Sequence, residues 1–217
     1  MSHIKPLLHF FMISKVTIIL LVLGVITCAE SAYLTAEAKR SPRDLVDTLH
    51  NTLIVVMKNA QKLGFKGRYT KLAPILSETF DLSLMTRVSS GGYWHRASEK
   101  EKLALVDAFS KISISTYASR FTAFSGQKFK TIRVKDGPQA TRLVETKLIN
   151  PSGDNLELIY VVKRIDDKWR IIDVILDLGI SELAVRRSEY RRILKSGGVR
   201  KLISMLNEKA NQLTFGE

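Results

Sequence analysis

The chain has 217 residues, 45% hydrophobic and 25% charged, with 34 Lys+Arg against 21 Asp+Glu and a formal charge of +13. These are globular proportions, so disordered, collagen-like and fibrous classes are excluded, and the length suits one domain whose core needs neither disulfide nor metal. A single cysteine, Cys28, makes no internal bridge and no thiolate zinc site, and four histidines leave little material for metal or histidine-based catalysis.

At the N-terminus, Lys5 and Lys15 precede an apolar run from Val16 to Ile26, followed by Thr27-Cys28-Ala29-Glu30-Ser31-Ala32. A basic start, a short apolar stretch and small residues predict a secretory signal peptide over 1–31, cleaved after Ala29 or Ser31. The run is shorter than the roughly 20 residues that span a bilayer. Two alternatives stand beside it. Phe10 to Ile13 would extend the run into an uncleaved inner-membrane anchor, although Lys15 interrupts it. Lipidation at Cys28 would want small residues ahead of it, where Val25-Ile26-Thr27 stand. Cleavage would remove the only cysteine, which suits an oxidising compartment.

Residues 32–217 then read as one domain. Ser41-Pro42-Arg43-Asp44 starts a helix with a capping serine, a proline in the first turn and an acid three residues on. Leu45, Leu49, Leu53, Val56, Ala60 and Leu63 form its apolar face, and Gly64 ends it. A second helix runs from about Tyr69 to Thr79. A third, capped by Asp81, covers Leu82 to Val88 before Gly91-Gly92 breaks the chain. Ser98-Glu99-Lys100-Glu101 is a capping box that opens a long helix to about Phe121, with Leu105, Phe109 and Ile112 as its stripe and Leu103, Val106, Tyr117 and Phe121 widening it.

From Gln127 the period changes to alternation. Lys128–Lys135, Ala140–Ile149, Leu156–Arg164 and Lys168–Leu176 read as strands joined at hairpin length by turn residues. Two helices follow, from Ser181 to about Lys195 and from Val199 to Leu213, separated by Gly197-Gly198. The expected class is α+β: helices over about 42–121, a four-stranded antiparallel meander over about 128–176, and helices over about 181–213 that help wrap it.

Catalytic material is sparse. His50 lies off the main stripe of the first helix and reads as solvated, and His95 reads as a loop residue. Asp173 and Asp177 sit in or just after an apolar strand. Alternation puts Trp169, Ile171 and Asp173 on one face and Ile172 and Val174 on the other. Asp173 reads either as a base at the mouth of a curved sheet or as a partner for backbone amides. Walker, dinucleotide, G-x-S-x-G and H-E-x-x-H patterns do not occur. Arg186, Arg187, Arg191 and Arg192 form a basic cluster. Export argues against nucleic acid, so the cluster points to lipid headgroups, an acidic partner surface, or plain solvation.

Several stretches between Ala73 and Leu213 resemble the MlaC family of periplasmic phospholipid carriers, also known as toluene-tolerance proteins. They are Leu72-Ala73-Pro74-Ile75-Leu76-Ser77-Glu78-Thr79-Phe80-Asp81 with Met85, Tyr93-Trp94 with Ser98-Glu99-Lys100-Glu101 and Phe109, and Thr116-Tyr117-Ala118 with Phe121 and Gly126. The most specific is Trp169-Arg170-Ile171-Ile172-Asp173-Val174, followed by Gly179-Ile180-Ser181, Arg187-Ser188-Glu189-Tyr190 and Gly197-Gly198. The run Ser181-Glu182-Leu183-Ala184-Val185-Arg186-Arg187-Ser188 departs from the usual pattern toward the hopanoid-associated HpnM branch, which leaves the cargo open between a phospholipid and a hopanoid-type lipid.

The resemblance implies an NTF2-like sheet with added helices and a periplasmic, monomeric carrier without cofactor or catalysis. It also implies partners: an outer-membrane lipoprotein complex and an inner-membrane ABC transporter with an MCE-domain subunit. Under that reading the expected cavity wall is Phe80, Leu84, Tyr93, Trp94, Phe109, Ile112, Tyr117, Val144, Leu148, Ile159, Val161, Ile172, Val174 and Ile180. The competing readings are an isomerase or dehydratase acting on a small apolar substrate through Asp173 or His95, and an interaction module held by an uncleaved N-terminus.

Overall fold

Alternating strands need a cover for one face, and helices on either side of them in sequence supply it. The structure, a computed structural model, describes residues 40–215. The expected leader over 1–31, with Cys28, lies outside them. The helices are α1 (Pro42–Lys58), α2 (Ala60–Thr79), α3 (Leu82–Ser90), α4 (Gly92–Arg96) and α5 (Glu99–Arg120). The strands β1 (Lys128–Asp136), β2 (Thr141–Ile149), β3 (Leu156–Ile165), β4 (Lys168–Leu176) and β5 (Ile180–Ser181) precede a last helix, α6 (Glu182–Phe215), which is broken at Gly197 and Gly198. The class is α+β, with one antiparallel sheet in the order β1-β2-β3-β4-β5.

The local signals explain most helix ends. Ser41 with Asp44, and Ser98 with Glu101, close reciprocal capping boxes at the starts of α1 and α5. Asp81 caps α3 by accepting from the Leu84 amide at 2.7 Å. The single first helix expected to run to Leu63 is instead divided. Asn59 ends α1, and Gly64, at φ +56°, kinks the next segment in a conformation open to glycine. The buried Arg68 spans the gap, donating to the carbonyls of Ala118 at 2.7 Å and Ala60 at 3.2 Å.

Four corrections to the sequence reading have physical causes. The sheet has five strands rather than four, because Ile180 and Ser181 pair with Leu176 and Ile175 after a single turn of 3₁₀ helix. Residues 92–96 form the short α4, not a loop. Leu103 does not widen the core stripe of α5; it is 73% exposed. His50 is not solvated: it is 3% exposed, and its Nε2 lies 3.0 Å from the Tyr160 hydroxyl.

β4 also breaks strict alternation. Val161 pairs with Asp173 and Val162 with Ile171, so Ile172 is an extra residue in a bulge. Ile171 and Val174 therefore both face the helices and are buried, while Ile172 and Asp173 do not share that face. A second bulge leaves Ile132 unpaired in β1.

The core has two ends. At one, α1 packs Leu45, Leu49, Leu53 and Val56 over the sheet residues Val144, Val162 and Ile171. At the other, α3, α5 and α6 lie over the far ends of the same strands. Leu105, which is fully buried, and Leu103 test this placement. Leu105→Ala is expected to cost about 2–5 kcal/mol of unfolding free energy by denaturant titration, and Leu103→Ala less than about 0.5.

Candidate functional site

The two ends of the core differ in filling. Under α1, Leu45, Leu49, Leu53 and Val56 are fully buried. Under α3, α5 and α6 they leave a cavity of about 200 Å³. Its sheet side is Phe129, Leu148, Leu156, Leu158, Tyr160, Val174 and Leu176. These are the helix-facing residues at one end of β1 to β4, brought together by the antiparallel register that pairs Leu148 with Leu156 and Leu158 with Leu176. The helix side is Leu76 and Phe80 from the end of α2, Leu82 and Met85 from α3, Ser113, Thr116, Tyr117 and Arg120 along α5, and Phe121 just after it. The α5 residues fall at helical spacing on one face. Glu182 and Arg186 of α6 complete the lining.

Three aromatic rings divide the cavity from the filled end. His50 stacks on Phe129 with centroids 4.0 Å apart and 9° between planes, and its Nε2 is hydrogen-bonded to Tyr160. Burial drives the imidazole pKa down to about 3, so His50 is neutral at any ordinary pH. Burial likewise raises the Tyr160 hydroxyl well above its usual value and pushes Tyr117 up to about 12, with the positive charge of Arg186 pulling Tyr117 the other way. Both tyrosines are therefore neutral, and among the described residues the walls carry charge at Arg120, Glu182 and Arg186.

The structure brings Phe80, Tyr117, Leu148 and Val174 to this lining, and Arg186 with them. The other expected wall residues lie elsewhere. Phe109 sits on the same side of α5 as Ser113 but one turn earlier, where the edge of Tyr190 and the guanidinium of Arg186 cover its ring. Ile112 is buried in the packed core. Val144 faces the helices at the α1 end, where it is fully buried. Ile159 and Val161 are on the opposite face of β3 from Leu158 and Tyr160. Ile172 is the bulge residue, and Ile180, in β5, is 50% exposed. Leu84 is half-buried on α3. Tyr93 and Trp94 belong to α4, where Arg96 and Lys102 lie over their rings. Arg187, Arg191 and Arg192 point outward from α6 as exposed side chains.

Leu76, Leu82, Met85, Phe129, Leu156, Leu158, Tyr160, Leu176 and Arg120 were missed by sequence reasoning. Parity along β3 holds the signal for Leu158 and Tyr160 once its direction is known. Nothing in the sequence tells that direction, because both faces of β3 are apolar.

Asp173, one of the two candidate bases, is occupied structurally. Its Oδ1 accepts from the amides of Val174 at 2.8 Å and Leu183 at 3.0 Å, and its Oδ2 accepts from the Ser181 hydroxyl at 2.5 Å. His95, the other, is exposed on α4. Among the described residues, no group of three or more His, Cys, Asp or Glu side chains is placed to hold a metal ion, and no helix is long and apolar enough to cross a membrane.

A second space of about 670 Å³ lies open between α1 and β1. Arg43, Asp47, Lys58, Lys128 and Lys130 line it, so it is a charged groove rather than a dry one.

Comparison with known proteins adds two findings. The profile of the family described as MlaC protein matches residues 47–208. Among solved structures, a phospholipid-binding protein from Ralstonia solanacearum, determined in complex with a phospholipid, matches at a TM-score of 0.69 and 20% sequence identity, covering 78% of this chain and 96% of that one. No curated protein sequence matches. At that identity the structural likeness establishes the fold, which is NTF2-like.

The buried neutral imidazole makes stability depend on pH. The unfolded chain protonates His50 near its ordinary pKa of 6.5, whereas the native state does not until about pH 3. Below pH 6.5 the unfolded state therefore binds the extra proton, and stability falls as pH falls. Between pH 6 and 4, wild type is expected to lose about 1.4 kcal/mol per pH unit more than His50→Gln in denaturant titrations, and equal slopes would refute the assignment.

Proposed function

The chain belongs to the MlaC family, and on that premise we propose that it is a lipid-binding carrier: it takes a lipid's tails between sheet and helices and carries them through water without chemical change. The observation that carries this reading is the apolar cavity between the sheet and α2, α3, α5 and α6. The phospholipid found in the Ralstonia protein supports it, as a cargo of a relative with the same fold.

An exposed acyl chain costs about 0.8 kcal/mol per methylene, so a two-tailed lipid does not cross an aqueous gap alone at a useful rate. A carrier has to match the dryness of a membrane rather than exceed it, so that loading and unloading are both near balance. Apolar walls with neutral tyrosines meet that requirement.

A cavity of about 200 Å³ is small for a lipid with two tails, so on this reading loading widens it by moving the helices away from the sheet.

Members of this family are periplasmic, which supports reading residues 1–31 as an export signal. On the family pattern the carrier works as a monomer between an outer-membrane lipoprotein complex and an inner-membrane ABC transporter with an MCE-domain subunit. The cargo is a phospholipid or, following the HpnM-like run after β5, a hopanoid-type lipid; dry walls serve either. An isomerase or dehydratase on this scaffold would need an acid or base inside the cavity, whereas Asp173 is engaged by two amides and a hydroxyl and His95 lies on the outside of α4.

The test is direct. Protein purified from an exporting host is extracted and its lipids are identified by mass spectrometry, with near-stoichiometric lipid expected. Val174→Trp, which fills the space from the sheet side, is expected to cut occupancy about fivefold or more while the far-ultraviolet circular dichroism stays native. Lipid-free wild type would refute the proposal, and unchanged occupancy in Val174→Trp would move the tails elsewhere.

A further inference from the structure

The cavity lining is asymmetric in polarity. The sheet side offers Leu, Val and Phe, with the Tyr160 hydroxyl engaged by His50. The charged residues of the lining come from two helices: Arg120 in the last turn of α5, and Glu182 and Arg186 in the first turns of α6. Tyr117 sits among them, one turn before Arg120, and its hydroxyl feels the charges of all three, Arg186 most strongly.

We propose that Arg120 and Arg186, at the helix-side rim around Tyr117, form an oxyanion site for the phosphate of a glycerophospholipid headgroup. This rests on the carrier reading and narrows its cargo.

Each arginine has an ordinary duty as well. Arg120 complements the negative end of the α5 dipole. Arg186 stacks its guanidinium 5.2 Å from the centroid of Phe109 and donates from Nη1 to the Tyr190 hydroxyl at 3.4 Å. That stacking fixes the plane of a fork with five N–H donors, of which the bond to Tyr190 engages one, and a fixed planar fork suits a phosphate better than a flexible ammonium does. Among the described residues of the lining, two cations and the Glu182 carboxylate leave one positive charge in excess. A phosphodiester carries one negative charge, so a phospholipid neutralises the rim, whereas an uncharged polycyclic lipid leaves it uncompensated. The same arrangement sets orientation: tails against the sheet, headgroup at the helix-side rim.

The experiment uses lipid-free protein exposed to phosphatidylglycerol vesicles that contain a minor share of diacylglycerol with the same tails and of a neutral pentacyclic triterpenoid. The protein is re-isolated and its bound lipids are quantified by mass spectrometry, normalised to their mole fractions. Wild type is expected to enrich phosphatidylglycerol about tenfold over both neutral lipids. The double variant Arg120→Gln with Arg186→Gln is expected to bring that ratio down to about twofold or less while still capturing diacylglycerol. Because Arg186 also packs against Phe109, Arg120→Gln alone is measured too, with an expected drop of about threefold, and it decides the matter if the double variant does not fold.

Equal capture of charged and neutral lipids by wild type overturns the site but leaves the carrier reading standing, and so does an unchanged ratio in the folded variants. Capture of no lipid overturns both. Inorganic phosphate alone is titrated into the lipid-free protein, and binding as tight as that of the phospholipid would assign the rim to a free anion and overturn the headgroup proposal.

Discussion

Three hydrogen bonds converge on the Asp173 carboxylate, and the layout of the cavity depends on them. The amides of Val174 and Leu183 and the hydroxyl of Ser181 all donate to it, so one side chain ties the last long strand to the first turn of α6. The bulge at Ile172 makes this possible. Without the extra residue, strict alternation would put Asp173 on the buried face with Ile171 and turn Val174 away from the cavity. With it, Ile171 and Val174 both go inward and the carboxylate is left to anchor the helix. Glu182 and Arg186 reach the rim because α6 starts there.

The second constraint is the boundary between the packed end of the core and the hollow end. Phe129, His50 and Tyr160 make it, and their polar atoms satisfy one another across it. A hydroxyl and an imidazole buried separately would each cost on the order of 1–3 kcal/mol; paired at 3.0 Å they stand in an apolar region without that penalty. The boundary lets one side carry stability while the other stays underfilled. Leu45, Leu49, Leu53 and Val56 under α1, with Leu105 of α5, supply the close packing. The cavity side forgoes part of that contact energy, which is the usual cost of a site that has to admit something else.

Much of the fold is legible in the sequence because its signals are local. The capping boxes at Ser41 and Ser98, the aspartate cap at Asp81, and the turn residues between alternating runs each act over a few residues, and the four long strands fall within a residue of where alternation places them. What was not legible depends on tertiary contacts. β5 exists only because Ile180 and Ser181 meet the end of β4. His50 looks like any off-stripe polar residue until β1 and β3 are laid against α1. The bulge at Ile172 falls inside an unbroken apolar run and leaves no mark on composition. Ile159 and Val161 are as apolar as Leu158 and Val162, so the choice of face was undetermined for β3. The site suffered more than the fold because a cavity is a property of what fails to fill a space. Phe109 and Tyr117 share a helix and a hydrophobic character, and only the position of Tyr190 and Arg186 separates the covered ring from the lining one.

On the carrier reading, the place where the hollow end widens follows from how its two sides are held. The sheet is a continuous antiparallel ladder from β1 to β4, and parting its strands would break many backbone hydrogen bonds at once. Beyond α1, the helical layer is fastened to it at few polar points among the described residues. Arg170 donates to the Glu78 carbonyl and the Asp81 amide to the Ile171 carbonyl, which pins the junction of α2 and α3. Asp173 pins the start of α6. The last two turns of α5, with Tyr117 and Arg120, rest on the sheet by side-chain packing, their long-range polar tie among the described residues being Arg68 of α2 on the Ala118 carbonyl, and the chain leaves them through residues 121–127 before returning as β1. On that reading widening is expected at the end of α5, where the helix layer, with Arg68 still holding Ala118, lifts from Leu148 and Leu156 without breaking the ladder or the Asp173 anchor.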